Sequence, residues 1–154
     1  KKPLVLISSL EVLKFHMNKL NFKKKIKIIN YKKITKYNLN NNYINLINLD
    51  FKFKKSFKKI SPKSNTFIKK CFKIAFEIIK KNKVKRFING PINKKTFLNK
   101  KYLGITEYIS DAFKIKKNAM LIYNPKLSVC PVTTHLPLKN VSKRINRKLI
   151  IEKN

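Results

Sequence analysis

The chain has 154 residues, one domain's worth or a piece of a larger one. Its 39 Lys and Arg against 6 Asp and Glu give a formal charge of +33, and 43% of its residues are hydrophobic, too many for a disordered basic tail and enough for a packed core. No apolar run approaches 18 residues, which excludes a membrane-spanning helix, and Cys71 and Cys130, with no CxxC, exclude a disulfide scaffold or a cysteine zinc site and suit a reducing, cytoplasmic setting.

The chain begins at Lys1, and its first apolar stretch, Pro3 to Ile7, is too short for a signal peptide. Leu4 to Ser8 reads as a buried strand. Ser8 or Ser9 can cap a helix over Leu10 to Leu20, with Leu10, Leu13, Met17 and Leu20 on one face. Lys25 to Ile29 reads as a second strand, Asn38 to Asn42 as a polar break, and Tyr43 to Phe51, which alternates apolar residues with Asn, as a third strand. Lys52 to Ser64 is a basic loop. The clearest helix runs from Thr66 to Lys81, capped by Ser64 or Asn65, with Phe67, Ile68, Cys71, Phe72, Ala75, Ile78 and Ile79 at helical spacing. Cys71 lies on that apolar face and is read as a buried thiol.

Val84 to Ile88 reads as a strand stopped by Asn89-Gly90-Pro91, followed by a helical stretch, Lys94 to Asn99. Gly104 opens a turn into a helix over Thr106 to Phe113. Ala119 to Tyr123 and Ser128 to Val132 read as two strands about Asn124-Pro125, and Pro137 to Lys148 as a final basic helix, with Asn140 or Ser142 as its cap. There is no internal repeat. Strands alternating with helices point to an α/β layered fold.

The charge admits two readings. A nucleic-acid partner is one. Codon composition is the other: Lys, Asn, Ile and Phe, which share A/T-rich codons, make up 87 of the 154 residues, whereas Gly, Ala, Arg and Pro make up 14. Arg, suited to bidentate phosphate and guanine contacts, occurs three times, the lysines are spread along the chain, and no zinc finger or RNP-type motif is present. Composition is the preferred reading, with nonspecific polyanion binding as its by-product; a dedicated basic nucleic-acid-binding protein is the alternative.

Few residues can carry chemistry. Gly90 and Gly104 are the only glycines, each at the end of an expected element, where a positive φ, a close approach or an ordinary turn would each account for it. His16, in a Lys-rich helix, reads as a surface or boundary residue. His135 ends the run Val129-Cys130-Pro131-Val132-Thr133-Thr134-His135 at a strand end, where an imidazole can serve as metal ligand, general base or structural residue. One His does not make a metal site. Glu107 and Asp111, spaced i, i+4 on one helix face, could bind a cation, but offsetting nearby lysines is the default.

Three segments occur in a telling order: Asn89-Gly90-Pro91-Ile92-Asn93-Lys94-Lys95, Gly104-Ile105-Thr106-Glu107-Tyr108 and Thr133-Thr134-His135-Leu136-Pro137-Leu138. Together they resemble the 4-hydroxythreonine-4-phosphate dehydrogenases of pyridoxal phosphate biosynthesis, clearly from about Ser61 to about Ile145 and only in element pattern before that. The resemblance implies a three-layer α/β/α fold of the isocitrate/isopropylmalate dehydrogenase type, here incomplete, as one partial domain over 1–154. It implies a cytoplasmic homodimer that depends on NAD and a divalent metal (Zn, Mg or Co), acts on a small phosphorylated substrate and has no specific nucleic-acid or membrane partner. The reaction implied is oxidation of the secondary alcohol of 4-phosphooxy-L-threonine, whose keto product then loses carbon dioxide. The Thr-Thr-His motif makes His135 a metal ligand. The Gly-His-Thr-Glu motif makes Thr106 a substrate contact, with Ile105 standing where the family has His. Lys94 is carried over as a phosphate or active-site contact. The family's Gly-rich opening and its C-terminal half, with two further metal-binding histidines and most of the cofactor site, have no counterpart, so the expectation is an internal fragment, inactive alone. A remnant, or a relative acting on another phosphorylated hydroxy acid, is the further alternative.

Overall fold

The computed structural model describes residues 2–52, 62–82, 84 and 86–153. The chain forms two compact units, Lys1–Phe97 and Leu98–Asn154.

The first unit is built on three parallel strands, β1 (Val5–Ser8), β2 (Ile26–Ile28) and β3 (Ile44–Asn48), in the order β1-β3-β2. Leu46 pairs with Leu6 on one side and with Ile28 on the other. Side chains alternate across a strand, so Ile47 and Leu46 face opposite ways; both are buried, and β3 is covered on both faces. Helix α1 (Leu10–Lys19) follows β1, and helix α2 (Asn65–Asn82) lies against the sheet. Ile74 and Ile78 of α2 close a core with Ile29 and Ile47, edged by Val5, Ile7, Tyr31 and Ile34. Ile74, seven residues after Phe67, also belongs to the buried stripe of α2, although the expected face omits it. Phe72 is the hub of an aromatic group, with ring centroids 5.6, 5.8 and 5.5 Å from Phe76, Phe87 and Phe97.

Polar side chains fix the strand ends. Buried Asn45 donates from Nδ2 to the Leu4 and Asn40 carbonyls, each at 2.9 Å. Ser9 occupies the N-cap position of α1, but its hydroxyl makes no capping bond. Asn48 does this instead: its Oδ1 accepts from the Leu10 N–H at 2.7 Å, tying β3 to the start of the helix. The expected apolar face of α1 is shallow: none of its residues is buried, and Leu20, just past its end, is 72% exposed. A 3₁₀ segment, Tyr31–Lys36, absent from the sequence expectation, leads from β2 toward β3, with Asn30 Oδ1 accepting from the Lys32 N–H. Residues 53–61 of the expected basic loop lie outside the described residues; Pro62–Ser64 form a 3₁₀ turn.

Three expected elements differ. Residues 84 and 86–88 form no strand; Lys85 lies outside the described residues. A strand needs a ladder partner, and none is found for them among the described residues; Phe87 packs its ring on Phe72 and Phe76 instead. The hairpin over 119–132 reduces to one antiparallel bridge, Ile122 to Val129, closed by two hydrogen bonds of 2.8 and 2.9 Å. Pro131, within the expected second strand, has no N–H to extend the ladder. Asn124 makes the turn, its Oδ1 accepting from the Lys126 N–H at 2.9 Å. The final helix is broken. A 3₁₀ turn, Leu138–Asn140, leads into the short helix α5 (Val141–Arg144), and Ile145 then takes extended backbone. Asn146 starts a new helix, α6 (Arg147–Lys153), its Oδ1 accepting from the Leu149 N–H at 2.8 Å. Between residue 88 and the bridged segment at Ile122, α3 (Lys94–Leu98) and α4 (Ile105–Ala112) sit close to the expected positions.

Candidate functional site

The second unit brings two of the singled-out segments together at the start of α4. Gly104 is the N-cap of that helix, with φ −155, extended backbone that any residue adopts. What a larger residue would meet there is a matter of space. A Cβ there would stand 2.7 Å from Glu107 Oε2 and 3.9 Å from His135 Nε2. Gly90 has nothing within 4 Å of such a Cβ and no positive φ, so it reads as an ordinary loop glycine.

Glu107 lies in the first turn of α4, where the helix dipole favours an anion. Its Oε1 is 3.9 Å from His135 Nε2, with the side chains 35% and 44% exposed. Its Oε2 is buried and has no hydrogen-bond partner among the described residues. His135 takes φ 58, the left-handed region, uncommon for a side-chain-bearing residue and costing on the order of 1 kcal/mol. One turn on, Asp111 accepts a hydrogen bond from the Tyr102 hydroxyl, and that bond is the main reason the Tyr102 hydroxyl is pushed above its ordinary pKa. The two carboxylates thus serve different partners and do not act as an i, i+4 pair.

Thr106 is exposed on the first turn of α4, next to half-buried Ile105. Lys94 is exposed at the first position of α3, which Asn93 caps by accepting from the Thr96 N–H at 3.0 Å. Thr106 and His135 thus share the second unit, whereas Lys94 belongs to the first. His16 is half-buried on α1, edge-on to Phe15. Cys71 is half-buried on α2, and burial pushes its thiol up to about 11, in keeping with an inert thiol. Glu107 is the residue that sequence reasoning undervalued; a glycine at an N-cap with an acid three residues on was the available signal.

The donor types at His135 and Glu107, an imidazole nitrogen and a carboxylate with an unpartnered oxygen, suit a divalent cation, but their number falls short of the three protein ligands of a catalytic site. No group of three or more His, Cys, Asp or Glu placed to hold a metal occurs among the described residues. No glycine-rich phosphate loop is formed among the described residues. No described helix is long and apolar enough to cross a membrane.

The parallel sheet with its helices defines an α/β protein, and comparison with known proteins narrows the class. The family profile for pyridoxal phosphate biosynthetic protein PdxA matches residues 1–154. A 4-hydroxythreonine-4-phosphate dehydrogenase of Sulfurihydrogenibium sp. (strain YO3AOP1) is 33% identical over 112 residues, 71% of this chain and 34% of the relative. Another from Bacteroides thetaiotaomicron is 26% identical over 153 residues, 97% of this chain and 41% of the relative. The crystal structure of the Klebsiella pneumoniae 4-hydroxythreonine-4-phosphate dehydrogenase superposes with a TM-score of 0.78 at 19% identity, covering 96% of this chain and 46% of that one, a likeness of fold. The chain belongs to the PdxA family. It spans less than half the length of these relatives.

Proposed function

We propose that these residues work within a 4-hydroxythreonine-4-phosphate dehydrogenase that depends on NAD and a divalent metal (Zn, Mg or Co). It would oxidise the secondary alcohol of 4-phosphooxy-L-threonine in pyridoxine and pyridoxal phosphate biosynthesis. The observation that carries this reading is the family match along the whole chain. The same reading makes the protein a cytoplasmic homodimer with the three-layer α/β/α architecture of the isocitrate/isopropylmalate dehydrogenases.

His135 is a metal ligand in this reading. A divalent cation bound there supplies Lewis acidity toward the substrate alcohol. The Thr106 hydroxyl, exposed at the helix start, hydrogen-bonds substrate, and the Lys94 ammonium neutralises phosphate charge. In this reading the 154 residues alone do not turn over substrate, because one histidine does not make a metal site. In the protein made from its complete reading frame, His135→Ala abolishes metal-dependent oxidation of 4-phosphooxy-L-threonine in a steady-state assay; unchanged turnover removes His135 from the site.

Ile105 favours a second reading, a different phosphorylated hydroxy acid, because an apolar side chain flanks Thr106 where the family carries His. Ile105→His then raises kcat/KM on 4-phosphooxy-L-threonine; no rise means that the missing imidazole does not limit the reaction. Family membership favours either enzyme over the basic nucleic-acid binder.

A further inference from the structure

Tyr102 and Asp111 have no role in the reading above, yet they grip the helix that carries Thr106. The chain reaches α4 through a tight reversal in which Asn99 and Lys100 take φ 46 and φ 60. Two successive side-chain-bearing residues in the left-handed region persist only where surrounding contacts hold them there. The residues just after them supply such contacts. The Lys101 N–H donates to the Leu98 carbonyl at 2.9 Å, and the Lys101 ammonium stands 5.4 Å from the centre of the Tyr102 ring. That ring meets Tyr108 edge-on, with centroids 5.5 Å apart. Its hydroxyl donates to the Asp111 carboxylate in the last turn of α4, a bond strengthened by the acceptor's charge. One side chain thus ties the entry loop, two residues before Gly104, to the far end of the helix. At about 3.6 residues per turn, Tyr108 and Asp111 lie about 60° apart around α4, and Thr106 lies about 170° from the midpoint between them. The clasp therefore holds the helix from behind and leaves exposed Thr106 open on the other side.

We propose that Tyr102 and Asp111 are positioning residues for substrate binding: their hydrogen bond fixes the entry loop against α4 and so sets where Thr106 presents its hydroxyl. The proposal rests on the reading of Thr106 as a substrate contact. Neither residue of the clasp meets substrate in this arrangement. What they supply is preorganisation, because a hydroxyl already held in place loses less freedom when substrate arrives.

The test is a double-mutant cycle on the protein made from its complete reading frame, with equilibrium binding of 4-phosphooxy-L-threonine measured by calorimetry without NAD. Tyr102→Phe keeps the ring against Tyr108 and removes only the donor; Asp111→Ala removes only the acceptor. Each is expected to weaken binding by about fivefold, and Asp111→Asn, which keeps an acceptor oxygen, to recover part of that loss. In a Thr106→Ala background the same changes are expected to alter affinity by less than about twofold, because the residue they act through is gone. A general loss of stability would not produce that dependence on Thr106, and if one variant of the clasp fails to fold the other carries the cycle. Unchanged affinity in both Tyr102→Phe and Asp111→Ala overturns the proposal, and so do equal losses with and without Thr106. If Thr106→Ala alone leaves affinity at the wild-type value, the reading of Thr106 fails instead, and the proposal falls with it. If the unaltered protein does not bind 4-phosphooxy-L-threonine, the failure lies in the proposed substrate and takes the positioning role with it.

Discussion

The two units solve the problem of backbone and side-chain burial in opposite ways. In residues 1–97 a parallel ladder runs through β3, and Leu46, Ile47, Ile74, Ile78 and Phe72 are removed from water around it. In residues 98–154 the only bridge among the described residues is Ile122 to Val129, the helices have eight residues or fewer, and Leu121, Tyr123, Leu127 and Leu138 stand 62% to 88% exposed. Yet the corner of Gly104, Glu107 and His135 belongs to this second, loosely built unit. The difference teaches a division of labour: long-range pairing supplies rigidity, while loops and helix ends carry the groups that meet a ligand.

The comparison is sharpened most by its hub. Phe72→Ala should destabilise the chain by roughly 3–5 kcal/mol in urea unfolding followed by far-UV circular dichroism, because it opens a cavity among Phe76, Phe87 and Phe97. A loss below about 1 kcal/mol would mean that the aromatic group relaxes around the gap, and that the first unit is not the better packed of the two.

A smaller effect is expected where the sheet holds the first helix. Asn48→Ala removes the acceptor for the Leu10 N–H and should cost about 1 kcal/mol, whereas Asn48→Asp, which keeps an acceptor oxygen, should recover most of it. Equal losses in both variants would show that the amide's shape, rather than its acceptor, is what matters.

The smallest is a pH effect at Cys71. Its thiol is pushed up to about 11 from an ordinary 9.0, chiefly by burial, so the folded state favours the protonated form. That contribution is complete below about pH 9 and is lost as pH rises through about 11. The urea midpoint should therefore fall with pH across this window, and Cys71→Ala should flatten that part of the slope. An unchanged slope would assign the alkaline loss to other groups.

What the sequence disclosed follows from the range of the interactions concerned. The three strands, α2 and the helix start at Gly104 were legible because periodicity, β-branched runs and a lone glycine are local signals. The fate of residues 84–88 was not, because a strand is defined by its neighbour, and the apolar character of Val84 and Ile88 says nothing of whether one exists. The capping of α1 was assigned to Ser8 or Ser9, but the acceptor is Asn48, 38 residues away from Leu10. The break at Ile145 was hidden because Asn146 competes locally for the backbone that a helical pattern would claim. At the candidate site, Gly104 and His135 were singled out one at a time; their meeting through Glu107 depends on how the loop before His135 returns to α4 and leaves no spacing signature.

The strand order β1-β3-β2 also sets a timetable. The strand in the middle is the last of the three to be synthesised, and both of its neighbours are parallel to it, so no two-residue hairpin can start the sheet. Until Asn48 has left the ribosome, β1 and β2 have no ladder to join, since Leu6 must wait for Leu46. The nascent chain therefore carries β1 without its β3 partner through some forty residues of elongation, a non-local pairing of the kind that slows folding.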